Sequence, residues 1–179
     1  MYRSGRVILN GHDARAAAKM TRFGREVRAS LWTGSEYQTL RILHTAGAHV
    51  PKALGHTSGA VVMEWIGDAE GPAPQLKEVK LDRSEAAELF GALITNIELW
   101  LACNIVHADL YAYNLLCHAG RLVAIDFPQA VDPRFNDNAP SLLARDLGNV
   151  CQYFGRFGVE SDPNALADDM WDRFIRGCL

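Results

Sequence analysis

Apolar side chains recur at helical spacing from Ser30 to Ala46, where Leu31, Trp32, Tyr37, Leu40 and Leu43 share one stripe and Gly47 supplies a stop. Two short extended runs follow, Ala53 to His56 and Ala60 to Trp65, joined at Ser58-Gly59, and they predict a hairpin. Gly67 to Pro74 carries two glycines, two prolines and two acids, the composition of a linker or hinge. Asp82 and Glu85 have the spacing of a capping box. Behind them Ala86, Leu89, Phe90, Leu93, Ile97 and Leu101 predict an amphipathic helix. Tyr113 to Cys117 and Leu122 to Ile125 flank Ala119-Gly120-Arg121, a second hairpin. Leu142, Leu143, Leu147, Val150, Cys151, Phe154 and Phe157 form another helix, with Pro140 near its start and Gly158 past its end. A last helix opens at Asp162-Pro163 and runs through Leu166, Met170 and Phe174. The first thirty residues are basic and rich in alanine without a strong period, either a solvated helix with flexible flanks or the remnant of something larger. Helices and hairpins are segregated rather than alternating, which predicts an α+β fold.

Composition narrows the classes. A chain of 179 residues makes one domain, or two small lobes sharing a site. Eighteen basic against twenty-one acidic residues give no cationic field for sequence-independent binding of nucleic acid. No apolar run approaches the roughly 18 residues of a membrane span, and Val7 to Leu9 is too short for a signal-peptide core. The expectation is a cytoplasmic protein. Cys103, Cys117, Cys151 and Cys178 are scattered without a C-x-x-C pair, which fits a reducing compartment. Cys103 with His107, and Cys117 beside His118, are only isolated half-sites for zinc; free cysteine is more often a small buried hydrophobe.

The chemistry concentrates in His107-Ala108-Asp109-Leu110-Tyr111-Ala112-Tyr113-Asn114, followed by Ile125-Asp126-Phe127 at the end of the second hairpin. Phosphoryl transfer needs a carboxylate to orient the attacking hydroxyl and oxygen ligands to hold magnesium against the phosphates. Asp109, Asn114 five residues on, and Asp126 supply that set, and the hairpin returns Asp126 toward Asp109. Each residue also has a plain alternative. Asp and Asn in loops commonly satisfy turn hydrogen bonds, and His107 reads as a core histidine that props the loop.

In these stretches the chain resembles the RIO family of atypical protein kinases. The resemblance rests on Val62-Met63-Glu64-Trp65-Ile66-Gly67, Ala73-Pro74-Gln75-Leu76-Lys77, the His107 to Asn114 segment, Ile125-Asp126-Phe127-Pro128-Gln129-Ala130-Val131-Asp132, and Arg145-Asp146-Leu147 with Asn149-Val150. It implies a kinase-like fold, with residues 1–66 as a partial N-lobe and residues 67–179 as the C-lobe. It further implies a serine/threonine phosphotransferase or autophosphorylating ATPase that uses ATP and Mg²⁺, with Mn²⁺ as a substitute. Asp109 would be the catalytic aspartate. Asn114 and Asp126 would be metal ligands, Asp126 also a transient phosphate acceptor in some members. Glu64 and Ile66 would offer backbone groups to adenine and Met63 would line its pocket, where plain core packing is the alternative for Met63 and Ile66. Glu36 would pair with a phosphate-binding lysine, or else sit on a solvated helix face. Asp146 would anchor the catalytic loop from the helix behind it. Implied partners are ATP and a protein substrate or the chain itself, with a ribosome-maturation particle by analogy alone. Aminoglycoside-phosphotransferase-like enzymes share the H-x-D-x-x-x-x-N and I-D pieces but not the I-D-F-P-Q-A-V-D run. A nucleotide-binding pseudokinase scaffold is the non-enzymatic alternative.

Two departures from the family pattern stand out. Tyr111-Ala112 replaces the usual Ser-Glu, putting a nearby polar contact in doubt. The chain also begins where the family segment after its glycine-containing strands and V-A-I-K-like lysine strand would begin. Lys19 in Ala16-Ala17-Ala18-Lys19-Met20 superficially imitates that lysine, although alanine runs favour helix over strand. Weak Mg-ATP binding, slow phosphorylation and a partly uncovered apolar surface around Leu31, Trp32 and Val61 are therefore expected.

Overall fold

A computed structural model of the chain describes residues 22–57 and 59–179, with side chains from Thr33 onward. Helix α1 (Arg22–Thr45) is followed by strands β1 (Ala53–His56) and β2 (Val61–Met63), a 3₁₀ turn at Leu76–Glu78, and helix α2 (Arg83–Ala102). A second 3₁₀ turn at Ala112–Asn114 leads into strands β3 (Leu115–His118) and β4 (Arg121–Ala124), then helices α3 (Ala139–Gly155) and α4 (Pro163–Ile175). Each strand pair is an antiparallel hairpin, and the two pairs form separate two-stranded sheets. The α+β expectation holds.

Helix α1 starts eight residues before the periodic stretch that predicted it. Its first turns hold only Phe23 and Val27 as large apolar residues, among Arg22, Gly24, Arg25, Glu26 and Arg28, a sparse extension of the Leu31 stripe. Its C-terminal half buries Leu40 and Leu43. Gly47, at φ +87°, closes it, with the Ala48 amide bonded to the Leu43 carbonyl. Strand β2 ends at Met63, short of the predicted Trp65. Residues 67–72 are not a loose linker: the Gly67–Pro72 bridge, the Asp68 amide on the Gly71 carbonyl, and the Ala73 amide on the Ile66 carbonyl make a tight turn.

The capping box at the start of α2 forms as expected, Asp82 accepting from the Glu85 amide at 2.9 Å and Glu85 from the Asp82 amide at 3.0 Å. Helices α2 and α3 and the β3–β4 hairpin enclose the core, with Trp100, Phe127, Leu101 and Leu143 each nearly inaccessible. Arg173 on α4 pairs with Glu98 on α2 and with Asp169 one turn earlier. This core is the platform from which the loops before β3 and after β4 project. On the opposite hairpin, Val61 is half-buried and packs onto the core, so it is not part of an uncovered surface; Leu54 and Val62 are exposed instead. The side chains of Leu31 and Trp32 lie outside the described residues.

Candidate active site

The segment entering the site is fixed before chemistry begins. Val106 and Val131 exchange both backbone hydrogen bonds, at 3.0 and 2.9 Å, which ties the loop after α2 to the loop after β4. His107 is 1% exposed, with its ring 4.5 Å from that of Phe127 and 6.1 Å from that of Trp100. Its Nε2 lies 3.2 Å from the Ile125 carbonyl, which can only accept, so Nε2 carries the proton. Burial lowers its pKa to about 4, against the opposing pull of the Ile125 bond, and the imidazole is neutral. His107 is the loop prop that the sequence suggested.

Ala108 sits at φ +63°, a left-handed conformation costing roughly 1 kcal/mol for a residue with a Cβ. Helix α3 holds it there. Asp146 accepts the Ala108 amide on Oδ2 at 2.7 Å and the Leu110 amide on Oδ1 at 3.0 Å. The Arg145 guanidinium donates to the Ala108 carbonyl, and Asn149 Nδ2 donates to the Leu110 carbonyl at 3.1 Å. Three side chains from α3 thus grip the backbone on both sides of Asp109, which is itself half-buried and lies outside the lining of the neighbouring cleft. Burial raises the pKa of Asp146 to about 6, outweighing the two amide bonds and the Arg145 charge. The anchoring expected of Asp146 is present. The roles of Arg145 and Asn149 were missed, although a polar Arg-Asp pair inside the Leu142, Leu143, Leu147, Val150 stripe is the signal that could have revealed them.

Asn114 is 3% exposed. Its Nδ2 donates to the Asp109 carbonyl at 2.9 Å, which leaves Oδ1 as its remaining acceptor, and its own carbonyl receives the Ile125 amide at 2.9 Å. Asp126, one residue on, adopts φ +67°. Glu36 reaches across from α1 and accepts the Phe127 amide at 3.3 Å. Desolvation, and next the charge of Asp109, raise the pKa of Asp126. The structure therefore brings Asp109, Asn114 and Asp126 to one place. Among the described residues no group of three His, Cys, Asp or Glu side chains is poised for a metal. An amide oxygen and a carboxylate fit a hard divalent cation that completes its shell with water and phosphate oxygens.

Beside this set lies a cleft of about 790 Å³. Met63, Glu64, Trp65 and Ile66 form one wall, Leu116, Ile125 and Asp126 another, and Glu36 also lines it. The Glu64 amide donates to the Lys52 carbonyl at 2.8 Å, and Glu64 Oε2 accepts the Lys52 amide at 3.1 Å. The Ile66 carbonyl accepts from Ala73 at 3.0 Å. Met63, Glu64 and Ile66 are all in the wall. Trp65, 65% exposed, joins them, a lining residue the sequence reading had placed in a strand. The lining includes four acids (Glu36, Glu64, Glu78 and Asp126) and no lysine or arginine among the described residues. Lys19 lies outside the described residues.

The RIO domain family matches residues 6–166 of the chain, a span that takes in the loop, the cleft and the gripping turn of α3. The chain belongs to the RIO kinase family. It is 37% identical over 138 residues to the RIO-type serine/threonine-protein kinase Rio1 of Thermoplasma acidophilum, covering 77% of this chain and 71% of that one. It is 37% identical over 131 residues to human serine/threonine-protein kinase RIO3, covering 73% of this chain and 25% of the human one. With Rio1 of Haloferax volcanii the figures are 35% over 144 residues, 80% and 48%. The chain thus spans from a quarter to under three quarters of the length of these relatives. The family resemblance drawn from the sequence is borne out, and the relatives' names carry the enzyme class it implied. No described helix is long and apolar enough to cross a membrane.

Proposed function

We propose that the chain is an ATP-dependent serine/threonine phosphotransferase of the RIO type, with Asp109 as the catalytic carboxylate and Asn114 and Asp126 as ligands for Mg²⁺ or Mn²⁺. The observation that carries this is the α3 grip. Asp146, Arg145 and Asn149 hold the backbone on either side of Asp109, as a positioned acid–base group requires. On this reading residues 1–66 belong to the N-lobe and residues 67–179 to the C-lobe. The protein works in the cytoplasm, where its free cysteines stay reduced. Its phosphate acceptor is a protein or a second copy of the chain; a ribosome-maturation particle remains an analogy drawn from the family.

Chemistry follows from the residues. The Glu64 N–H and the Ile66 carbonyl are engaged within the protein, which leaves the Glu64 carbonyl and the Ile66 N–H as an acceptor–donor pair for the edge of adenine, above Met63. Bound magnesium would offset the charge of the β- and γ-phosphates. Asn114 Oδ1 and the Asp126 carboxylate would hold it, and Asn114 is itself oriented through the Asp109 carbonyl. The Asp109 carboxylate then accepts the hydrogen of the acceptor hydroxyl and directs its oxygen toward phosphorus. With acids and no described cation lining the cleft, a metal held by Asn114 and Asp126 would supply most of the phosphate neutralisation.

The test is ADP release and phosphate incorporation from labelled ATP by wild type and Asp109→Asn. The variant should keep nucleotide affinity within a few-fold and lose roughly two or more decades of rate. Nucleotide binding without turnover in the wild type would instead identify a binding scaffold.

A further inference from the structure

Helix α3 aims three side chains, spaced four residues apart, at backbone carbonyls of other segments. Arg145 and Asn149 reach the carbonyls of Ala108 and Leu110, on either side of Asp109. Tyr153, the third of the row, donates its hydroxyl to the Leu76 carbonyl at 2.6 Å, across 77 positions of sequence. With four residues per step, the row advances about 6 Å each time along one face of the helix. It therefore runs from the loop carrying Asp109 to the 3₁₀ turn at Leu76–Glu78. That turn belongs to a wall of the cleft, which Pro72, Ala73, Pro74, Gln75 and Glu78 all line. The same wall is tied to β3, through the Cys117 amide on the Pro74 carbonyl at 2.9 Å and the Gln75–Leu116 bridge.

The ring of Tyr153 fixes where its hydroxyl points. It is half-buried, edge-on to Phe154 with centroids 5.4 Å apart and tilted against Phe157 at 5.5 Å, and Arg156 Cζ lies 5.5 Å from its centroid. The Leu76 carbonyl also accepts the Val79 amide at 3.2 Å, so it keeps a partner when the hydroxyl is removed. What such a change takes away is the tie between wall and helix. We propose that Tyr153 is a positioning residue for the nucleotide, and that α3 sets the spacing between the cleft wall and Asp109 by fastening both. The proposal rests on the phosphotransfer reading for what fills the cleft. A wall that must be ordered during binding lowers affinity, whereas the loop held by Arg145, Asp146 and Asn149 keeps its geometry.

Tyr153→Phe keeps the ring and removes only the hydroxyl. Titrated with a non-hydrolysable ATP analogue in magnesium, it should bind about three- to tenfold more weakly than the wild type, the contribution of one hydrogen bond. With ATP, its KM should rise by the same factor, while kcat, read as ADP release, should stay within about twofold. Asn149→Ala should do the reverse, lowering kcat and leaving affinity for the analogue unchanged. Without any ligand, amide exchange at Glu78 and Val79 should quicken about three- to tenfold in Tyr153→Phe, with Ala108 and Leu110 unchanged. Equal affinity in Tyr153→Phe and wild type, or a loss of kcat without a rise in KM, overturns the proposal. Faster exchange at all four amides also overturns it, since the hydroxyl would then be a general support of the fold. Weaker binding in Tyr153→Phe with no turnover by any of the proteins upholds the positioning role and refutes the phosphotransfer reading. No binding by the wild type refutes both.

Discussion

Glu36 accepts the backbone amide of Phe127 at 3.3 Å, a contact between residues 91 positions apart that joins α1 to the loop carrying Asp126. The sequence offered Glu36 either as the partner of a lysine or as part of a solvated face. It is half-buried rather than on a solvated face, and its bond to the loop carrying Asp126 steadies the residue that follows the left-handed Asp126, while the lysine pairing falls on Lys19, outside the described residues. Removing it should loosen that loop. Glu36→Ala should lower stability by about 1–2 kcal/mol in chemical denaturation, and Glu36→Gln, which keeps an acceptor, by clearly less. Equal losses in the two variants would show that the bond to Phe127 is not what matters.

Asp146 and His107 give opposite pH dependences. Asp146 has its folded pKa raised to about 6 from 3.8, so its contribution is fully present below about pH 4 and is lost as pH rises through 6. His107 has its folded pKa lowered to about 4 from 6.5, so its contribution is present above about pH 6.5 and is lost as pH falls through 4. Each is on the order of 3 kcal/mol, and they oppose one another across the same window. Wild-type stability should therefore change little between pH 4 and 6. Asp146→Asn should make stability rise with pH across that window, and His107→Gln should make it fall. Urea midpoints at four or five pH values decide it, and parallel profiles for all three proteins would refute the pairing.

Glycines at two positions should respond with opposite signs. A Cβ on Gly67 would lie 2.3 Å from the Gly71 carbonyl oxygen and 2.9 Å from the Pro72 Cα, both backbone atoms. Gly67→Ala must then open the turn beside Ile66, and should cost about 1–3 kcal/mol and weaken nucleotide binding. Gly91, inside α2, meets nothing within 4 Å. Gly91→Ala should stabilise by about 0.5–1 kcal/mol through helix propensity alone. Thermal denaturation of the two variants checks both signs, and a stable Gly67→Ala chain would contradict the tight-turn description.

How much of this was legible beforehand follows from the range of each interaction. The helix from Arg83 to Ala102, the two hairpins and the capping box of Asp82 and Glu85 depend on neighbours a few residues apart, and local pattern predicted them. Asp109, Asn114 and Asp126 stood out because phosphoryl transfer needs that set of residues at that spacing. The bonds from Arg145 and Asn149 to the loop carrying Asp109 span 37 and 39 positions, and the polar Arg-Asp pair within the α3 stripe signals a contact without naming its target. In the Gly67 to Pro74 stretch, expected as a linker or hinge, the tight turn over Gly67–Pro72 was not legible, because glycine and proline mark tight turns and flexible links alike and sequence does not display the cross-turn bonds. The early start of α1 is faint in the sequence because only Phe23 and Val27 extend the Leu31 stripe, amid Gly24 and three arginines.

The most direct test of the central claim is the thermal shift produced by a non-hydrolysable ATP analogue, with and without magnesium, in wild type and Asp126→Ala. At a hundred times the dissociation constant, binding to the folded state alone adds about 2.7 kcal/mol, roughly 5–10 °C for a chain of this size. The account predicts a shift of that order in the wild type, present only with magnesium and absent in Asp126→Ala. An unchanged magnesium-dependent shift in Asp126→Ala would contradict it.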